Sequence, residues 1–161
     1  MLAKIRKHTA AIVIAGTTLA ALQATLRAES VRAPRVQAAR SVWDSVYTEA
    51  QATRGDSLYK ATCAKCHGDT LSGPPPGAPE DGSPLVGPIF LSNWNGLSVG
   101  DLYEKVRDYM PTDKPKSLDK QLIADVLAFV LAKNKFPAGS ADLSAEVEQL
   151  KQIKIEAAKS P

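Results

Sequence analysis

The stretch Cys63-Ala64-Lys65-Cys66-His67 sets two thiols three positions apart and puts an imidazole directly after the second. That is the spacing of a c-type haem attachment sequence, in which each thiol adds across one vinyl group of the porphyrin and the histidine is held where it binds the iron. Other uses of a Cys-x-x-Cys pair lack their partners here. Tetrahedral zinc wants four ligands, and the whole chain has two Cys and two His, of which His8 lies far upstream. A thioredoxin-like dithiol needs a βαβ setting and a secreted disulfide framework needs further cysteines. What precedes Cys63 reads as helix.

Upstream, Thr48-Glu49-Ala50-Gln51 has the form of a capping box, so a helix is expected to start there. Ala52, Gly55, Tyr59, Thr62 and Cys66 recur at spacings of three or four, giving one inward stripe that delivers both thiols at the helix's C-terminal end. Gly55 costs about 1 kcal/mol relative to Ala in mid-helix, and a close helix crossing, with Tyr59 against Phe129, is its expected reason. Downstream, residues 69–88 are rich in Gly and Pro, including Pro74-Pro75-Pro76, and are expected to wrap as a loop. A ligating histidine needs an acceptor for its other ring N–H. The carbonyl of Pro84 is the first choice and that of Pro88 the second, with Leu85 packing on the ring. Trp94 follows in an apolar stretch, and its indole N–H, if buried, wants a haem propionate or some other core acceptor.

Ser98 with Asp101 reads as a second helix start, and Val99, Leu102, Tyr103, Val106 and Met110 share one face. Pro111 biases Met110 out of the helical region, so this helix is expected to end at Tyr109 or Met110. A methionine on an apolar face ordinarily fills core. Met110, however, is the only thioether besides Met1 and stands just before a proline, which makes it the candidate second iron ligand. Ser117 is expected to cap a last core helix running to about Lys133, with Leu118, Leu122, Val126, Phe129 and Val130 on its apolar face. Leu143, Val147, Leu150 and Ile153 return to helical spacing in the tail, as an amphipathic segment that docks on the body or on a partner.

The start is basic (Lys4, Arg6, Lys7) and is followed by an uncharged run from Thr9 to Leu26, the shape of a secretory signal cleaved after Ala24 or Ala28, or of an uncleaved anchor over residues 9–26. The formal charge of +3 for all 161 residues owes four cations to residues 1–28, which hold no acid; the other 16 basic residues face 17 acids, a charge of −1. No nucleic-acid surface is expected from that balance. The organisation expected is a signal or anchor at 1–28, an extended lead-in at 29–47 in which Trp43 and Tyr47 cover an edge of the core, a haem domain at 48–136, and a tail at 137–161. Export places the chain in the periplasm, where covalent haem is a use for both thiols.

With these residues in place the chain resembles class I cytochromes c over about residues 48–134. The attachment site ends a first helix, Pro84-Leu85 stands in a loop, Met110-Pro111 follows a third helix and an aromatic lies in the last. The resemblance implies an all-α cytochrome c fold, three to four core helices around one covalent haem c, with Cys63 and Cys66 as anchors and His67 and Met110 on the iron. The stretch from Ser41 to Gly55 is also similar to single-haem cytochromes from soil bacteria, some of them similar to modules that work with periplasmic quinoprotein dehydrogenases, a likeness that implies only a type of partner. Together these imply an electron carrier rather than an enzyme, serving a periplasmic dehydrogenase or terminal oxidase. Two alternatives remain: a haem subunit fixed to such an enzyme, and a gas- or peroxide-reacting protein in which Met110 is labile. The second has no further histidine to act as acid or base.

Overall fold

The computed structural model describes residues 40–74, 76–77 and 82–159; the expected signal or anchor at 1–28 and residues 29–39 of the lead-in lie outside the described residues. In chain order the elements are β1 (Arg40–Ser41), α1 (Glu49–Thr62), α2 (Ala64–His67), α3 (Gly87–Trp94), α4 (Val99–Tyr109), α5 (Lys120–Lys133), α6 (Val147–Leu150) and β2 (Ile153–Lys154). Among the described residues no helix is long and apolar enough to cross a membrane.

The architecture is built on the crossing of α1 and α5. A Cβ on Gly55 would lie 1.9 Å from the Asp125 carbonyl oxygen and 2.9 Å from the Phe129 Cβ, so the two backbones meet at a distance that only glycine permits. One turn on, the rings of Tyr59 and Phe129 pack with centroids 5.2 Å apart. α5 is buried continuously from Ile123 to Leu131.

A polar clamp locks the same crossing. Asp125 is 5% exposed. Its carboxylate accepts from the Arg54 guanidinium at 3.0 and 3.2 Å, from Gln51 Nε2 at 3.1 Å and from Gln121 Nε2 at 3.0 Å. Arg54 extends to Asp142 Oδ2 at 2.7 Å, and the other oxygen of Asp142 accepts from the Thr48 hydroxyl. A buried carboxylate is tolerable because its lone pairs are filled in this way.

Three helix starts differ in detail from the sequence reading. Thr48 does cap α1, accepting from the Gln51 N–H at 3.1 Å, but the Gln51 side chain does not return to Thr48. It is fully buried, donates to the Leu143 carbonyl at 3.0 Å as well as to Asp125, and accepts from the Leu143 N–H at 2.6 Å. Buried groups that water cannot reach outweigh a cap that water can replace. α5 is capped by Asp119, not Ser117: the Asp119 carboxylate takes the Gln121 N–H at 2.8 Å, and its charge suits the helix N-terminus better than a hydroxyl. Leu122 accordingly falls in the first turn, ahead of the buried segment, and is 41% exposed rather than on the apolar face. The expected loop through Pro88 stops at Val86, because α3 begins at Gly87 and holds Pro88 in its first turn, where the missing N–H has no intrahelical role.

α4 forms as its sequence dictates. Ser98 Oγ accepts from the Asp101 N–H at 3.0 Å and the Asp101 carboxylate accepts from the Ser98 N–H at 2.8 Å, a complete capping box. Its far end is Tyr109, and Met110 is extended (φ −115°, ψ 148°).

The tail takes another form than helical spacing suggests. Only Val147–Leu150 is helical, and Ile153–Lys154 pairs in parallel with Arg40–Ser41. Leu143, Leu150, Ile153 and Ile155 are all buried. Four residues are too few to hold a helix alone. The following backbone finds partners instead in Val42 N–H to Lys154 O (2.9 Å), Ile155 N–H to Leu97 O (2.8 Å) and Gly96 N–H to Ile155 O (2.8 Å). Residues 40–47, assigned to the lead-in, belong to the packed body. Val42 and Tyr47 are buried, the Tyr47 hydroxyl donates to the Phe136 carbonyl at 2.6 Å, and Trp43 stands edge-on to Phe136 at 4.9 Å while its indole N–H reaches the Glu156 carbonyl at 3.0 Å.

Gly55→Ala should therefore destabilise the protein by about 3 kcal/mol, the upper end of overpacking costs, read from the denaturant midpoint at unchanged slope. The hydroxyl of Thr48, then Arg54, hold the Asp142 carboxyl below its ordinary range, and the Ser98 hydroxyl and N–H do the same for Asp101. Depressed carboxyls stabilise above the unfolded value near 3.9 and stop doing so as pH falls through the folded value. Urea denaturation from pH 6 downward should show stability falling below about pH 4, and Asp142→Asn should lose less over that interval than the wild type.

Candidate haem site

A cavity of about 360 Å³ opens beside the attachment motif, within the range of small-molecule and cofactor sites. Cys63, Cys66, His67, Pro84, Leu85, Trp94 and Met110, all proposed from sequence, line it together. The rest of the wall is mainly apolar: Phe90 from α3, Leu102 and Val106 from α4, and Val126, Leu127 and Val130 from α5.

The α1 helix stops at Thr62 because the chain turns at Cys63, and α2 restarts it for one turn. This break, absent from the single helix the spacing suggests, separates the two cysteines between Cys63 as the N-cap of α2 and Cys66 inside it. Both thiols are free. Burial, and then the neighbouring Cys66, push the Cys63 thiol up to about 11, so it is protonated at neutral pH.

After His67 the chain reverses through Gly68, at φ 75°. Two contacts fix this reversal: the buried Tyr59 hydroxyl donates to the Gly68 carbonyl at 2.6 Å, and the Gly73 N–H donates to the His67 carbonyl at 3.1 Å. The same burial raises the Tyr59 hydroxyl above its ordinary range. The loop then returns so closely that a Cβ on Gly82 would lie 1.8 Å from the Cys66 carbonyl oxygen.

That approach brings the Ser83 carbonyl to 2.7 Å from His67 Nδ1. A carbonyl only accepts, so Nδ1 carries the proton and Nε2 is left as the metal-binding nitrogen. The acceptor is thus neither Pro84 nor Pro88. Pro88 is committed to α3, and the close packing of Gly82 on Cys66 puts the residue directly after it at the imidazole. Pro84 and Leu85 remain as wall residues. Tyr59, Gly82 and Ser83 were not singled out for these contacts, and a Gly-Ser pair in a Gly-rich loop carries no signal that could have done so.

Met110 lies on the strap between α4 and α5, half-buried at the cavity. Lys65 of α2 meets Asp113 of the strap at 2.5 Å. Both side chains are more than half exposed, so the pair contributes little to stability while marking where motif and strap face one another. Trp94 is half-buried and packs near Phe90 with ring centroids 6.4 Å apart.

The donor set suits an iron porphyrin: two unpaired thiols at attachment spacing, an imidazole whose Nδ1 is held by a carbonyl, and a thioether lining the same mainly apolar cavity. Among the described residues no group of three or more His, Cys, Asp or Glu could hold a bare metal ion.

Residues 50–130, half of the chain, match the family model described as cytochrome c oxidase, cbb3-type, subunit III. No curated protein matches. The crystal structure of the sulfane dehydrogenase SoxCD from Paracoccus pantotrophus is similar to this chain with a TM-score of 0.43 and 21% identity, over 70% of this chain and 61% of that one. The chain spans less than two thirds of that protein's length.

Gly82→Ala should push the loop off Cys66, costing about 1–3 kcal/mol and freeing the His67 ring, which would appear as a lower thermal midpoint and broadened imidazole resonances in the haem-loaded protein.

Proposed function

Since the chain belongs to the c-type cytochrome family described as cytochrome c oxidase, cbb3-type, subunit III, we propose that it is a single-electron carrier whose haem c is anchored by Cys63 and Cys66 and ligated by His67 and Met110. The observation that carries this reading is the shared cavity: one imidazole oriented by Ser83 and the only thioether of the described residues line it together. When bound, the haem supplies a one-electron couple at its iron.

The chain's own residues do the rest. Cys63 and Cys66 would hold the ring covalently, His67 and Met110 would be the residues that ligate its iron, and the apolar wall would exclude water and lower the local dielectric. The Trp94 N–H is a donor for an acidic substituent of the ring. The domain is built to change little between oxidation states, since α1 and α5 are locked at Gly55 and through Asp125.

The reading includes export, from the basic and apolar character of residues 1–28, and a periplasmic dehydrogenase or terminal oxidase as partner, met in a weak, short-lived complex. Permanent attachment through the tail or the Trp43 face is disfavoured. The tail's apolar residues are buried in its own domain, and Trp43 is engaged with Phe136 and Glu156.

Visible spectra of the haem-loaded protein test this: low-spin oxidised and reduced forms, a methionine-to-iron charge-transfer band when oxidised, and no change with carbon monoxide are expected. Met110→Ala should bind carbon monoxide and have a lower potential. A high-spin wild type that binds carbon monoxide, or a Met110→Ala variant with unchanged potential and no ligand binding, would overturn the assignment.

A further inference from the structure

We infer that Asn134 is a positioning residue for the His67 imidazole, acting through the loop that carries the Ser83 carbonyl; the inference rests on His67 being an iron ligand.

Asn134 is the C-cap of α5. Its Oδ1 accepts from the Gly87 N–H at 3.0 Å, and its Nδ2 donates to the Leu85 carbonyl and the Val130 carbonyl, each at 2.9 Å. An N–H can only donate and a carbonyl can only accept, so the amide has one orientation that satisfies all three. One bond ties the side chain to its own helix and two reach across to residues 85 and 87. Besides His67 itself, no other side chain among the described residues hydrogen-bonds to the backbone of residues 82–87.

The segment thus anchored is short and stiff. Leu85 is held on its other side by its N–H to the Leu71 carbonyl at 2.8 Å. Between Leu85 and Ser83 stands Pro84, whose ring fixes φ near −65°. Little freedom separates the Leu85 carbonyl, where Asn134 pulls, from the Ser83 carbonyl, where His67 donates at 2.7 Å. Upstream, Gly82 rests against the Cys66 carbonyl. The imidazole is carried by α2 at the end of α1, and its acceptor is carried by the end of α5. Both are therefore referenced to the Gly55 crossing, and Asn134 closes the circuit.

An imidazole whose distal N–H is held by a carbonyl is a stronger donor through its other nitrogen. Losing the anchor frees the Ser83 carbonyl, weakens that bond and makes His67 a poorer donor, so the reduced state is relatively favoured and the potential rises.

The test uses haem-loaded protein in three variants. Asn134→Ala removes all three bonds. Asn134→Asp keeps the side chain's shape and the acceptor for Gly87 while losing both donations, and it carries the test if the alanine variant fails to accumulate. Gln121→Ala, at the opposite end of α5, is the control for general destabilisation. The readouts are the exchange rate of the His67 Nδ1 proton, by NMR of the reduced protein, and the midpoint potential. Both Asn134 variants should speed exchange roughly tenfold, as expected for losing about one hydrogen bond's worth of local protection, and the neutral Asn134→Ala should raise the potential. Gln121→Ala should lower the thermal midpoint and move neither. Exchange and potential unchanged in the Asn134 variants, or shifted equally by Gln121→Ala, would overturn the inference while leaving ligation intact. Wild-type His67 ring protons lying outside the porphyrin's ring-current region would overturn ligation itself, and the inference with it.

Discussion

The rest of the structure depends on the contact between the backbone of α1 at Gly55 and that of α5 at Asp125. With no side chain between them, the two helices approach until the Asp125 carbonyl occupies the space a methyl group would need. Interiors are packed densely enough that such an approach fixes both elements along their length. α1 ends at the attachment motif, α5 forms one wall of the cavity, and the angle between them determines where His67 lies relative to Val126, Leu127 and Val130.

Around that contact the polar groups are arranged so that none is left unpaired. Asp125 takes donors from Gln51 and Arg54 of α1 and from Gln121 of its own helix, and Arg54 donates in turn to Asp142. Gln51 reads the Leu143 backbone with both halves of its amide. Breaking one partner of such a set leaves a buried charge or amide exposed to its neighbours, which costs more than the bond was worth when made. The clamp therefore favours one arrangement of α1, α5 and the tail over slipped alternatives. The proposed electron-carrying role would gain from that rigidity, because little would have to rearrange when an electron arrives.

The haem site reads as a set of supports at increasing distance. His67 is oriented by Ser83, the Ser83 loop is pressed on Cys66 through Gly82, and the same loop is tied to α5 through Asn134. Met110 is extended because Pro111 follows it, on a strap whose ends belong to α4 and α5. Local chemistry supplies the donors, and helices locked elsewhere hold their separation.

Much of this was legible in the sequence by itself. The attachment motif, the capping residues Thr48 and Ser98, the helix end ahead of Pro111 and the need for a crossing at Gly55 are all properties of neighbours along the chain, and short-range sterics and hydrogen bonding decide them. That His67 and Met110 are the candidate iron donors also followed from the sequence, because only one imidazole and one thioether lie beyond the first 28 positions. Tertiary structure alone decided the acceptor for His67, the buried partners of Gln51, the contacts of Asn134 with residues 85 and 87 and the replacement of a tail helix by a strand against Arg40–Ser41. Each is a choice between partners far apart in sequence. Which of them wins depends on how closely two backbones approach and on which buried groups would otherwise go unpaired, and residue spacing records neither.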